Sequence, residues 1–191
     1  IDELITAATA KTGEKISLRR ATVQKNAGAI EEAYIHMGGK MGTLVEISAD
    51  GATSANTADI VAMAHDIAMH IAAFQPPYVR KSDVPQDAVD HEREIIKQQL
   101  MNDEKNKNKP ENVLAKIAEG KLGNFYKENC LLYQAFAKDP SITVEQLVEA
   151  TAKKTGAKLD VVRFTKFVMG EGIEKRTDNL AEEVAKLSAN K

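Results

Sequence analysis

The sequence predicts an α+β fold: an antiparallel sheet covered by helices, with a protruding antiparallel helical hairpin. Three observations predict it. A strongly periodic helix over 57–74 occupies the centre of the pattern, short alternating segments precede it, and two narrow apolar stripes joined by a polar bend follow it. In the central helix, Ile60, Met63, Ala64, Ile67, Ile71 and Phe74 recur at the i, i+3, i+4, i+7 spacing that lines one helical face. Thr57 is placed to cap its amino end, and Asp59 lies in the first turn, where a carboxylate complements the helix dipole. Pro76 and Pro77 stop the helix, because neither can donate to the ladder.

The remaining elements follow in order. Residues 2–12 read as a short helix with Leu4, Ile5 and Ala8 on one face. Residues 15–24 alternate as a strand, Ile16, Leu18 and Thr22 against Ser17, Arg19 and Ala21. A second strand over 29–37 sets Ala33, Ile35 and Met37 against Tyr34 and His36. Gly38 to Gly42 is the turn, and a third strand over 43–49 points Val45 and Ile47 the same way. Such short connections favour an antiparallel meander with the central helix over one face. Pro85 suits the first position of a helix over 86–103, in which Val89, Ile96 and Leu100 form a stripe. After the polar bend 102–109, Pro110 and Glu111 open a partner helix with Val113, Leu114, Ile117, Ala118, Leu122 and Phe125 in line. Thr143-Val-Glu-Gln146 is a capping box opening a helix to about residue 154, which Gly156 ends. Residues 159–169 form the last, β-branched strand, and Thr177 starts a terminal helix with Leu180, Val184 and Leu187 in line. The expected organisation is a sheet-and-helix core over 1–85, a hairpin over 86–126, the rest of the core over 127–176 and a helical module over 177–191.

Composition narrows the function classes. With 26 Lys+Arg against 28 Asp+Glu, the net charge of -2 gives no bulk attraction to nucleic acid or to an anionic membrane. No apolar run approaches the roughly 20 residues that span a bilayer. The single Cys130 excludes an internal disulfide and fits a reducing compartment, and no targeting peptide opens the chain; a cytoplasmic location is expected. The chain begins at Ile1 rather than Met, and the expectation is a piece of a longer protein.

No residue constellation points to catalysis or to a metal. His65 and His70 are five apart, which puts them on different sides of the helix, whereas a zinc pair needs i, i+4. His70 sits at the edge of the apolar stripe, where Asp66 one turn earlier can hold its ring. Gly38-Gly39-Lys40-Met41 lacks both the early glycine and the Ser or Thr of a phosphate loop. The Lys105–Lys109 bend has no interleaved aromatics and reads as a solvated tip. Cys130, beside Leu131 and Leu132, reads as buried. The expectation is a non-enzyme without cofactor or metal, shaped to grip another protein.

Several stretches resemble the elongation factor Ts family. Tyr34-Ile-His-Met-Gly-Gly-Lys-Met-Gly-Thr-Leu-Val-Glu46 is similar to its strand–turn–strand hairpin, and Asp66-Ile-Ala-Met-His-Ile-Ala-Ala73 with Pro76 and Tyr78 to its central helix. His91-Glu-Arg-Glu-Ile95, Lys109-Pro-Glu-Asn112, Ile117-Ala-Glu-Gly-Lys-Leu122 and Phe125-Tyr-Lys-Glu128 resemble its coiled coil. Cys130-Leu-Leu-Tyr-Gln134, Lys138-Asp-Pro-Ser141 and Gly170-Glu-Gly-Ile-Glu-Lys175 continue the match in the same order. The resemblance implies a guanine-nucleotide exchange factor for elongation factor Tu, acting by preferring the nucleotide-free partner. It further implies that Met41 and Gly42 approach the partner's nucleotide-binding domain and that His70 is the contact made by the central helix. Ala137 and Lys138 would meet the partner's third domain, and Asp178, Leu180 and Val184 of the terminal helix would lie against its nucleotide-binding domain. On that reading, replacing His70 with Ala weakens binding and leaves the melting curve nearly intact. The family's amino-terminal helical module and Thr-Asp-Phe-Val motif do not occur here; Thr177-Asp178-Asn179-Leu180 shares two letters at the wrong end. The alternative is a self-associating module in which the hairpin pairs with a second copy.

Overall fold

The computed structural model describes residues 1–106 and 109–172. Its elements are α1 (Asp2–Thr12), β1 (Ala29–His36), β2 (Met41–Asp50), α2 (Thr57–Phe74), α3 (Gln86–Asn102), α4 (Glu111–Asn129), α5 (Val144–Thr155) and β3 (Lys158–Val168). The three strands form one antiparallel sheet in the order β1-β2-β3. Val45, Ile47 and Ala49 of β2 face α2, and they share a core with Ile60, Ile67 and Ile71 of α2, Leu131, Val144 of α5 and Val161 of β3. Thr43 donates its hydroxyl to the carbonyl of Ala68 at 2.9 Å, a buried bond that fixes α2 along the sheet. A register shift between Glu46 and Ile47 leaves Val162 as the extra residue of β3. The predicted terminal helix, with Asp178, Leu180 and Val184, lies outside the described residues.

The sheet has three strands among the described residues, not four. Residues 15–24 carry the predicted alternation, but they and residues 25–26 form no strand. They are attached through side chains instead: Gln24 donates to the Thr165 hydroxyl at 3.2 Å, Asn26 to the Glu46 carboxylate at 3.0 Å, and Arg19 to the carbonyl of Glu171 at 2.6 Å. Their apolar side chains find no core, Val23 being 87% exposed. Alternation alone does not separate a paired strand from an extended arm, because both have a two-residue repeat.

Glu46 is the polar centre of the sheet face away from α2. Its carboxylate is 1% exposed and accepts from Asn26 and, at 2.7 Å, from Arg163 Nε. The Asn26 bond, the largest influence, acts with Arg163 to hold the carboxyl below its ordinary range against the opposing effect of burial. A carboxyl depressed in the folded state binds fewer protons there than in the unfolded chain. Its stabilisation is therefore complete above the unfolded pKa of about 4.3 and is lost as pH falls through that value towards the folded one. Melting temperature measured against pH should fall more steeply below that point in the wild type than in Glu46→Gln. Parallel curves would refute the assignment.

Two details of helix capping separate cleanly. The box at α5 forms as the spacing requires: Gln146 N–H donates to Thr143 Oγ1 at 3.2 Å, and Thr143 N–H donates to Gln146 Oε1 at 2.9 Å. Thr57 does not cap α2. It lies inside the first turn, and its hydroxyl donates back to the carbonyl of Thr53 at 2.6 Å. Asn56 precedes it and uses its amide to join Gly51 and Thr155, at 3.3 and 3.0 Å. At the other end, Gln75 takes φ 49 and closes α2 on Ile71 before the prolines. Phe74, expected in the apolar stripe, is 55% exposed.

α3 and α4 pack against each other, and at their base Val84, Val89 and Cys130 are buried with Tyr78, Leu122 and Phe125 around them. Val89, Ile96 and Leu100 of α3 are buried as their spacing predicts. On α4 no residue is fully buried, and Val113 is 38% exposed. An apolar groove of about 480 Å³ runs between the helices, lined by Leu100, Met101, Leu114, Ala115 and Ala118. No helix among the described residues is long and apolar enough to cross a membrane.

Candidate partner-binding surface

The carboxyl half of α2, the chain 131–140 and the end of β1 meet at one surface. His70 is its anchor, and it is fully buried rather than at an edge. Its ring stacks on Phe74 with centroids 4.7 Å apart and lies 6.2 Å from Phe136. Asp66 does not hold it; that carboxylate pairs with Lys138 Nζ at 2.6 Å. One turn earlier on a helix is close enough in spacing, but the apolar face carries His70 inward while Asp66 stays nearer solvent. The ring instead bonds to the 131–140 chain, its Nε2 lying 2.9 Å from Gln134 Oε1 and its Nδ1 accepting from the Ala137 N–H at 3.2 Å. An acceptor at Nδ1 and an oxygen facing Nε2 define the neutral ring protonated on Nε2. Burial keeps its pKa below the ordinary imidazole range, with the Gln134 bond acting the other way.

Ala137 and Lys138, by contrast, are exposed. Two depressions flank them. One of about 190 Å³ is lined by Tyr34, His36, Met69, Ala72, Ala137 and Lys138. The other, of about 500 Å³, is lined by Phe74, Lys127, Gln134, Phe136, Ala137 and Pro140. Ala137 borders both, and the exposed Phe74 supplies an apolar wall to the second. Tyr34 Oη and His36 Nδ1 are 2.9 Å apart, and His65 Nδ1 lies 2.8 Å from Glu32 Oε1 with its ring edge-on to Tyr34. The face of β1 that packs towards α2 is thus that of Tyr34 and His36, while Ile35 is 65% exposed.

The structure brings His70, Ala137 and Lys138 together and places Met41 and Gly42 at the strand end beyond His36. Met41 and Gly42 are not in the turn. They begin β2, Met41 opposite His36 and Gly42 opposite Ile35, and the turn itself is Met37–Gly39 with Lys40. A Cβ on Gly42 would sit 3.3 Å from Ile35 Cδ1, so the glycine here allows close packing rather than a positive φ. Gln134 is the residue that spacing rules miss, and Phe74 is one they place in the core although it is exposed at this surface. A signal existed for the first: an amide inside the run Leu131-Leu132-Tyr133-Gln134-Ala135-Phe136 must find buried partners. The described residues contain no group of three or more metal-ligating side chains, and burial pushes the Cys130 thiol up to about 11, leaving it protonated and inert.

Comparisons with known proteins place this arrangement of a helix-covered sheet and helical hairpin among the translation elongation factors. Residues 1–171 match the family described as Elongation factor TS. The chain belongs to the elongation factor Ts family. It is 45% identical to elongation factor Ts of Carboxydothermus hydrogenoformans over 170 residues, 86% of this chain and 76% of that one. Elongation factor Ts of Clostridioides difficile is 41% identical over 186 residues, 97% of this chain and 58% of the relative. Elongation factor Ts of Desulfitobacterium hafniense is 44% identical over 160 residues, 84% and 72% of the two chains.

Proposed function

We propose that this chain is a guanine-nucleotide exchange factor that promotes GDP release from elongation factor Tu in the cytoplasm, without making or breaking a covalent bond. The observation that carries the reading is the exposed Ala137–Lys138 pair, seated on the buried His70 between two depressions. A surface held rigid before binding loses little conformational entropy on association, so its affinity can be spent on preferring one state of the partner. If the grip is tighter on the nucleotide-free form than on the GDP form, mass action drives release. Met41 and Gly42 then face the nucleotide-binding domain, Ala137 and Lys138 the third domain, and Asp178, Leu180 and Val184 the nucleotide-binding domain again. Direct contact with tRNA is not part of this reading.

Stopped-flow release of a fluorescent GDP analogue tests it. The 191 residues lack the Thr-Asp-Phe-Val motif, so the expected outcome is a stable complex with nucleotide-free elongation factor Tu and weak acceleration of release. No complex at micromolar protein would defeat the proposal. A second reading, self-association through the hairpin, is favoured by the apolar groove between α3 and α4. Light scattering over a dilution series separates the two, since that reading requires a dimer and no GTPase.

A further inference from the structure

We propose that Gln134 is a positioning residue: its carboxamide joins the carboxyl end of α4 to His70 and thereby holds Ala137 and Lys138 in their gripping position. The identity of the partner rests on the exchange-factor reading; the positioning does not.

The argument runs from one end of the amide to the other. Gln134 is 7% exposed, and its Nε2 donates to the carbonyl of Glu128 at 2.7 Å. That carbonyl belongs to the last turn of α4, where no intrahelical donor remains. A carbonyl only accepts, so the amide nitrogen must face it, and the amide oxygen must then face His70. An oxygen in that place requires a proton on Nε2. With Nε2 protonated, the neutral ring has its lone pair at Nδ1, where the Ala137 N–H arrives. Orientation of one side-chain amide therefore decides whether the backbone of Ala137 has an acceptor. The backbone of Gln134 is itself clamped, its carbonyl accepting from Val144 N–H at 3.1 Å. The amide thus works from a fixed root, and the chain from Glu128 through Gln134 and His70 to Ala137 refers the binding loop to both the hairpin and the central helix.

Glu at this position would be a different residue chemically. A carboxylate has no proton for the Glu128 carbonyl, and it would draw a second proton onto His70. The resulting imidazolium donates at Nδ1 as well, so that donor would face donor at Ala137.

The test uses Gln134→Met, which keeps length and removes both polar ends, and Gln134→Glu. Three quantities are measured: the ring nitrogen shifts of His70, hydrogen exchange at the Ala137 amide, and dissociation from nucleotide-free elongation factor Tu. In the wild type only Nε2 should be protonated at neutral pH. In both variants Ala137 should exchange roughly tenfold faster relative to Ile67, as expected when one partly buried hydrogen bond is lost. In Gln134→Glu the ring should be doubly protonated, and dissociation from the partner should accelerate about tenfold in either variant. Unchanged Ala137 exchange in Gln134→Met overturns the proposal, as does an unchanged dissociation rate when the wild type binds. If Ala137 responds but the wild type binds no elongation factor Tu, the exchange-factor reading fails and the positioning stands. Should Gln134→Met not fold, Gln134→Glu carries the test: Ala137 exchanging faster relative to Ile67 beside a doubly protonated ring supports the proposal, and Ala137 exchange unchanged in that variant refutes it.

Discussion

Replacing His70 with alanine should lower the unfolding free energy by about 2–4 kcal/mol, measured by urea denaturation. The ring is fully enclosed, stacks on Phe74 and makes two hydrogen bonds. Its removal leaves a cavity and strips the Ala137 N–H and the Gln134 oxygen of their partners. A side chain that only touched a partner would leave the melting curve nearly intact, so the two roles are distinguished by one experiment. A pH dependence accompanies it. Since the folded ring titrates below the ordinary imidazole value, the unfolded chain binds the proton more readily. Stability is then full above about pH 6.5 and falls as pH drops from there to the folded pKa, below which this contribution is constant. The alanine variant should lack that segment of the curve.

Lys138→Glu should have the opposite profile, a small effect on stability and a large one on binding. Lys138 Nζ pairs with Asp66 at 2.6 Å, but its side chain is 52% exposed. Solvent screening limits such a pair to below about 1 kcal/mol, so the melting temperature should hardly move. For a partner approaching the smaller depression, the change reverses a charge on its lining and leaves two carboxylates side by side. Charge reversal there should weaken the complex with nucleotide-free elongation factor Tu by roughly 10–100-fold and flatten or invert its salt dependence, because salt then screens a repulsion instead of an attraction. Titration calorimetry at two ionic strengths measures both. Equal affinities for wild type and variant would remove Lys138 from the interface.

Much of this is legible in the sequence. The helical stripe of α2, the stripe of α3, the capping box at α5 and the hairpin of β1 and β2 each rest on a repeat or a local bond whose residues lie close in sequence. What escaped depends on contacts between distant residues. The 15–26 arm has the repeat of a strand, yet its attachments to Glu46, Thr165 and Glu171 come from far along the chain. Asp66 was the local choice for His70, whereas the ring's actual partners come from 131–140. Phe74 fits the stripe by count, but α2 has by then run past the sheet-side core, and the ring lies over His70 instead. On the candidate surface, motif resemblance points to Ala137 and Lys138, while Gln134 carries no such signal, because an amide in an apolar run has no spacing rule attached to it.

The paired helices α3 and α4 also act as a lever arm. Seventeen residues in α3 amount to about 25 Å of reach from the base. A tilt of about a tenth of a radian at the root would carry the tip through some 2.5 Å, roughly half a helical turn. The bond from Gln134 to Glu128 sits at that root. That amide shares the root with the buried Val84, Val89 and Cys130, and small errors at the pivot return magnified at the far end.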